Sequence, residues 1–131
     1  TMPEPQPAQL GSWVLPTVDK DTSIYLSGKT SQYAWLQSGT TTYVFVPVAD
    51  EDESTKDVTL NVTEGGTQIL FVVEGTEILK GELAHPVKPG EEIWMVEDAA
   101  DGQNFIVVEL EKVARGREWN SVMKPLVTFK K

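Results

Sequence analysis

From Tyr33 to Leu110 the chain repeats one unit: a short run of alternating or unbroken apolar residues, closed by a turn of Gly, Pro or Asp. Side chains alternate across a strand with period two, so each run reads as a strand with assignable faces. In YVFVPV (43–48), Val44, Val46 and Val48 fall on one face and Tyr43 and Phe45 on the other. In VTLNV (58–62), Val58, Leu60 and Val62 point inward and Thr59 and Asn61 outward. ILFVV (69–73) is continuous, and EILKGEL (77–83), EIWMV (92–96) and NFIVVEL (104–110) follow. Gly65-Gly66, Gly75, Pro89-Gly90 and Asp101-Gly102 separate the runs. Strands about every ten residues, split by such turns, predict an all-β fold: an antiparallel two-sheet sandwich of roughly seven to eight strands with little helix. Pro47 interrupts a ladder donor and places its strand at an edge or at a bulge. REWNSVM (117–123) is the one stretch with the pattern of a short helical turn, stopped by Pro125.

At 131 residues the chain is one domain's worth. Residues 1–20, with Pro3, Pro5 and Pro7, read as an extended, mobile leader. Residues 21–124 read as the folded domain and 125–131 as a tail. The net charge of −9 and the scattered basic residues argue against nucleic acid and against an anionic membrane surface. No run approaches the roughly 18 apolar residues of a membrane span. The absence of cysteine excludes disulfides, thiolate metal sites and Cys nucleophiles, and it fits a reducing, cytoplasmic compartment.

Candidate chemistry is sparse. Asp50, Asp52 and Ser54 have calcium-loop spacing, but Thr55 and Asn61 stand where that loop needs Gly and Glu. A solvated acidic loop is the plainer reading. His85 is the single histidine, and a zinc site built on it would need three carboxylates. No G-x-S-x-G accompanies it. Glu97-Asp98 is an acidic pair where a strand carrying Trp94 runs into the AADG turn. Acids there are solvated or bond turn amides. The expectation is therefore no catalytic residue, no metal and no cofactor.

The spacing of several short motifs resembles the CS domain family, the module of p23-type co-chaperones, Sgt1-type adaptors and NudC proteins. Tyr33-Ala-Trp35-Leu-Gln37 is similar to its Y-x-W-x-Q opening, and Lys56-Asp57-Val58 to a K-D-V strand start. Gly81-Glu82-Leu83, Trp94-Met-Val-Glu97-Asp98, Leu110-Glu-Lys112 and Glu118-Trp119 resemble its G-E-L, W-x-x-E-D, L-x-K and E-W-W. The group G-E-L, W-x-x-E-D and E-W is closest to the NudC branch. Asn120 departs from the second closing Trp, and residues 1–32 lie outside the match.

The resemblance implies a sandwich without catalytic residues that binds an Hsp90-type chaperone or a client protein as a co-chaperone or adaptor. Tyr33, Trp35, Gln37, Lys56, Lys112 and Trp119 are the protein-binding residues it points to. Alternation puts Tyr33, Trp35 and Gln37 on one side of the first motif strand, and a partly open face there would leave Gln37 solvated and aromatic surface free. Lys112 is expected as a surface charge. No coiled-coil segment accompanies the domain, so a monomer is the expectation. Two other readings compete: an extracellular carbohydrate-binding sandwich, which needs a planar row of exposed indoles, and a regulatory domain attached to an enzyme.

Overall fold

The computed structural model describes residues 9–10, 13–14, 16, 25–48 and 57–124. Ten strands follow in order: β1 (Gln9–Leu10), β2 (Trp13–Val14), β3 (Tyr25–Lys29), β4 (Ala34–Gln37), β5 (Thr41–Val48), β6 (Val58–Thr63), β7 (Gln68–Val73), β8 (Thr76–Glu82), β9 (Ile93–Asp98) and β10 (Asn104–Glu111). One sheet has the order β3-β4-β5-β10-β9 and a second the order β6-β7-β8, with every pairing antiparallel. The strands β1 and β2 pair with each other as a separate ribbon. The eight strands of the two larger sheets form the predicted sandwich. Among the described residues no helix is long and apolar enough to cross a membrane.

The alternation seen in the sequence is the alternation of the core. Val44 and Val46 on β5, Ile106, Val108 and Leu110 on β10, and Ile69, Phe71 and Val73 on β7 meet between the sheets. Trp94 and Val96 on β9 pack against that core from its margin. Each fully buried side chain of this size contributes about 1.5–3 kcal/mol by leaving water. The opposite face of the five-stranded sheet carries a second apolar cluster of Ala34, Leu36, Tyr43, Phe45, Phe105 and Val107. Phe45 and Phe105 meet there edge to face, with centroids 6.4 Å apart. Both β5 and β10 are therefore buried on both faces.

Turn chemistry sets the connections. Glu74 and Gly75, with φ of 52° and 83°, make the two-residue link between β7 and β8. That left-handed pair has the twist a tight hairpin demands. A 3₁₀ turn, Glu64–Gly66, joins β6 to β7. It brings Gly66 against the segment that follows β8, where the Val87 N–H donates to Gly66 O at 2.9 Å.

Two expectations need correction. Pro47 lies not in an edge strand but in β5, between β4 and β10. It is tolerated because β4 begins at Ala34 opposite Phe45, so beyond Phe45 the described β5 is paired only with β10, where Pro47 faces Phe105. The missing N–H costs no bond to β4. The second correction is REWNSVM, which forms no helix. Trp119 is drawn into the core, and Leu83 bridges Met123 in antiparallel fashion. Tertiary burial overrides the weak local preference. The leader (1–20) lies largely, and the tail (125–131) wholly, outside the described residues, as do Asp50, Asp52, Ser54 and Lys56.

Candidate functional site

Five of the six residues singled out by motif are described, and four of them are buried. Trp35 is 5% exposed, Gln37 and Lys112 1% each, and Trp119 2%. Tyr33 is half-buried, and its burial raises the pKa of its phenol. Alternation does place Tyr33, Trp35 and Gln37 on one side of β4, but that side looks at the second sheet. The expected open face is closed. The Trp35 indole lies over Gly28, where a Cβ would come within 2.8 Å of its Nε1.

Gln37 ends β4, and a Ser38–Thr41 turn follows. Ser38 Oγ accepts from the backbone N–H of Thr40 (3.2 Å) and Thr41 (3.1 Å). The segment after β10 folds over this turn, with Lys112 N donating to Thr40 O at 2.7 Å and Gly116 N to Gly39 O at 2.6 Å. This delivers the Lys112 ammonium beneath the turn. Lys112 Nζ donates to Gln37 Oε1 (2.9 Å), Ser38 O (2.7 Å) and Arg117 O (2.9 Å). Gln37 in turn clamps Trp119: its Nε2 donates to Trp119 O at 2.7 Å, and its Oε1 accepts from Trp119 N at 2.7 Å. The Q of Y-x-W-x-Q, the K of L-x-K and the W of the closing motif, 75 and 82 positions apart, thus form one buried polar lock.

The electrostatics follow from the burial. Lys112 has its pKa lowered by desolvation, opposed by the Glu118 carboxylate. Its three donors are committed to neutral acceptors, so it is neither a surface charge nor an available nucleophile. The burial corrects the expected surface lysine: Lys112 lies where the chain must cross back over the β4–β5 turn, and its three N–H groups go to the buried oxygens of Gln37, Ser38 and Arg117. His85 sits over Trp119, with ring centroids 5.6 Å apart. Desolvation first, then the charges of Arg117, Lys112 and Lys124, lowers its pKa below 6.5. The unfolded chain consequently takes up this proton before the folded one does. Stability is expected to fall as pH drops through 6.5 toward the folded value, and His85→Gln removes that part of the slope. Thermal midpoints of both proteins at pH 7.5 and 5.5 check this.

One buried polar atom beside the lock is unsatisfied. Thr42, paired in register with Gln37 and Leu110, has an Oγ1 with no hydrogen-bond partner. A buried unpaired hydroxyl costs about 1–3 kcal/mol. Thr42→Val keeps the shape and removes the hydroxyl, and it is expected to stabilise by about 1 kcal/mol in urea unfolding.

In EIWMVED, Glu97 and Asp98 are exposed and Glu92 is half-buried. Asp98 accepts from Asn104 Nδ2 across the β9–β10 hairpin, and Asp101 Oδ1 accepts from Gln103 N at 3.0 Å. No group of three or more His, Asp or Glu among the described residues is placed to hold a metal. Trp35 and Trp119 are buried and Trp94 is half-buried, so these three indoles offer no exposed planar row for a sugar.

A feature with no local sequence signal is the outer edge of β8. Lys124 N donates to Glu82 O at 2.9 Å and Ala84 N to Val122 O at 2.9 Å, so residues 122–124 pair with the far end of this strand. By alternation, Lys80 turns its backbone N–H and C=O the same way as Glu82, away from β7. A groove of about 430 Å³ runs along this edge, between Ile78–Glu82 on one side and Met123 and Lys124 on the other.

The CS domain family model matches residues 31–112, more than half of the chain and the span that holds β4 to β10 with Gln37 and Lys112 of the lock, Trp119 lying beyond it. The chain belongs to the CS domain family. Its CS domain is similar in structure to the nuclear movement protein from E. cuniculi GB-M1, with a TM-score of 0.56 and 20% identity. That likeness covers 72% of this chain and 100% of the other. At such identity it speaks to a common fold, in a protein whose name fits the NudC branch. A comparison with curated protein sequences gave no significant match.

Proposed function

We propose that this CS domain is a non-catalytic protein-binding module of the NudC type, a co-chaperone or adaptor that acts in the cytoplasm on an Hsp90-type chaperone or on client proteins. The observation that carries the reading is the outer edge of β8, along which no described strand pairs before Glu82. At one end it accepts an extended segment, residues 122–124, and a groove lined by Ile78, Lys80, Glu82, Met123 and Lys124 runs along it. Strand addition to such an edge is a general mode of peptide recognition, in which backbone bonds supply affinity and alternate side chains supply specificity. The groove offers apolar Ile78 and Met123 beside Lys80, Glu82 and Lys124, which suits an amphipathic extended partner. The motif residues act differently in this proposal. Trp35, Gln37, Lys112 and Trp119 support binding by holding the sandwich, whereas Tyr33 and Lys56 are contact residues.

The test is affinity for Hsp90, with and without nucleotide, alongside suppression of client aggregation. Lys80→Pro removes an edge donor without touching the β7 ladder and is expected to weaken binding at least about tenfold while the circular dichroism is kept. Unchanged binding by this variant counts against the β8 edge. No binding under any nucleotide condition removes Hsp90, and no effect on aggregation removes clients.

A further inference from the structure

His85 is held where three stretches of chain meet. On one side of it Ala84 N donates to Val122 O at 2.9 Å, and Leu83 bridges Met123. On the other side Val113 N donates to Pro86 O at 3.3 Å, and Val87 bridges Lys112. Against the imidazole lies the buried ring of Trp119, whose backbone is pinned by Gln37. The histidine is half-buried, and among the described residues no hydrogen bond reaches its ring nitrogens.

The charges that act on this ring are positive: Arg117, Lys112 and Lys124. That runs against a chain with 20 acids and 11 bases. Two acids belong to the neighbourhood, since Glu118 acts on Lys112 and Glu82 pairs with Lys124 at 2.9 Å. The Lys112 ammonium has its N–H groups committed to Gln37, Ser38 and Arg117, so it supplies charge and no donor. Arg117 differs. It is exposed, and its backbone is fixed by Lys112 Nζ at 2.9 Å and by its own N–H to Ala114 O at 3.2 Å. Among the described residues no carboxylate is bonded to its guanidinium.

A guanidinium fork and an imidazole with unused nitrogens, set against a fixed indole and backed by a buried ammonium, are the parts of an anion site. Like charges gathered at one place repel, and a compact dianion relieves that repulsion. A carboxylate brings one charge, whereas a phosphate monoester brings about 1.5–2 at neutral pH together with three acceptor oxygens. We propose that His85 and Arg117, with Lys124 at the margin, form a binding site for the phosphoryl group of a phosphorylated side chain on a partner protein. The site does not depend on strand addition at β8. Only Lys124 is shared with that groove, and His85 and Arg117 read the anion whether or not the groove is filled.

His85 is the single histidine, so its ring resonances report on the site without overlap. The first probe is sulfate, which stays dianionic while the ring titrates, added to the full chain against chloride at equal ionic strength. Sulfate is expected to move the ring resonances and to raise the midpoint of their pH titration, because a bound anion favours the imidazolium. No difference from chloride overturns the site. The second probe is a peptide of one phosphoserine between two alanines on each side, compared by calorimetry with the same peptide carrying serine or glutamate. The phosphoserine peptide is expected to bind at least about tenfold more tightly than either. Equal binding of the serine or the glutamate peptide overturns the phosphoryl assignment, and a response to sulfate without binding of the phosphopeptide overturns the protein partner. Arg117→Gln keeps the backbone carbonyl that the lock uses, and it is expected to weaken the phosphopeptide by about tenfold or more. It is also expected to raise the His85 midpoint in anion-free protein, since a facing positive charge is gone. Arg115→Gln, exposed in the same loop, is expected to change affinity by less than about twofold. Equal losses in the two variants, or an unmoved His85 midpoint in Arg117→Gln, overturn the proposal.

Discussion

Replacing Gly66 with Ala is expected to cost this fold at least about 4 kcal/mol, a loss outside the ordinary range for a single methyl group. A Cβ at this position would stand 1.8 Å from Val87 O and 3.0 Å from Val87 C, and both are backbone atoms that cannot rotate aside. Carbon contacts are comfortable only near 3.5–4.0 Å. Gly66 also has φ of 95°, a conformation that L side chains resist. The clash would fall on the link it most needs, since Val87 N donates to Gly66 O at 2.9 Å and Leu83 N to Thr67 O at 2.8 Å. These bonds tie the β6–β7 turn to the segment leaving β8. A domain of typical stability, about 5–15 kcal/mol, would be left near its unfolding threshold. Urea unfolding of Gly66→Ala measures the effect. Gly39→Ala is the control: nothing lies within 4 Å of its Cβ, and a change within about 0.5 kcal/mol is expected.

Lys112→Met is the second large effect, expected to destabilise by about 3 kcal/mol. The stem is kept, so packing changes little. What is lost is the donor set: Ser38 O and Arg117 O lose the partner they have in the lock, and Gln37 Oε1 loses the ammonium while keeping Trp119 N. Each orphaned buried acceptor costs about 1–3 kcal/mol, partly offset because a desolvated charge is removed with the lysine. Lys112→Glu is worse, because it aims a carboxylate at three oxygens, and it is no neutral surface exchange. The parent protein should also show an alkaline signature. Lys112 has its pKa lowered from 10.5, so in the interval below 10.5 the folded form gives up its proton first and stability rises with pH. The Met variant lacks that rise. Urea midpoints across the alkaline range, for both proteins, check magnitude and sign together.

The sandwich was legible because its signal is local and repeated. Val44, Val46 and Val48 against Tyr43 and Phe45, or Trp94 and Val96 against Met95, declare opposite faces within a few residues, and the structure buries them accordingly. The acids of EIWMVED were legible for the same reason: strand end, turn and solvent are local matters. The lock was not. A lysine and a glutamine are surface residues by default, and nothing near Gln37 announces a partner 75 positions away. The motif pattern flagged Gln37, Lys112 and Trp119 as important, but it could not say whether they touch a partner or one another. Pro47 and REWNSVM misled because each local rule met a tertiary circumstance, a short neighbouring strand in one case and a buried indole in the other. The pairing at the edge of β8 is set by residues 122–124, which no window of sequence around β8 contains.

The central claim is that Gln37, Lys112 and Trp119 hold the fold as one coupled unit. A double-mutant cycle on Gln37→Met and Lys112→Met, read by urea unfolding, tests it most directly. Removing either side chain alone orphans the other's buried polar groups, whereas removing both leaves less unmet demand. The double variant is therefore expected to lose at least about 1 kcal/mol less than the sum of the singles. Additivity to within about 0.5 kcal/mol would contradict the lock and return these residues to independent roles.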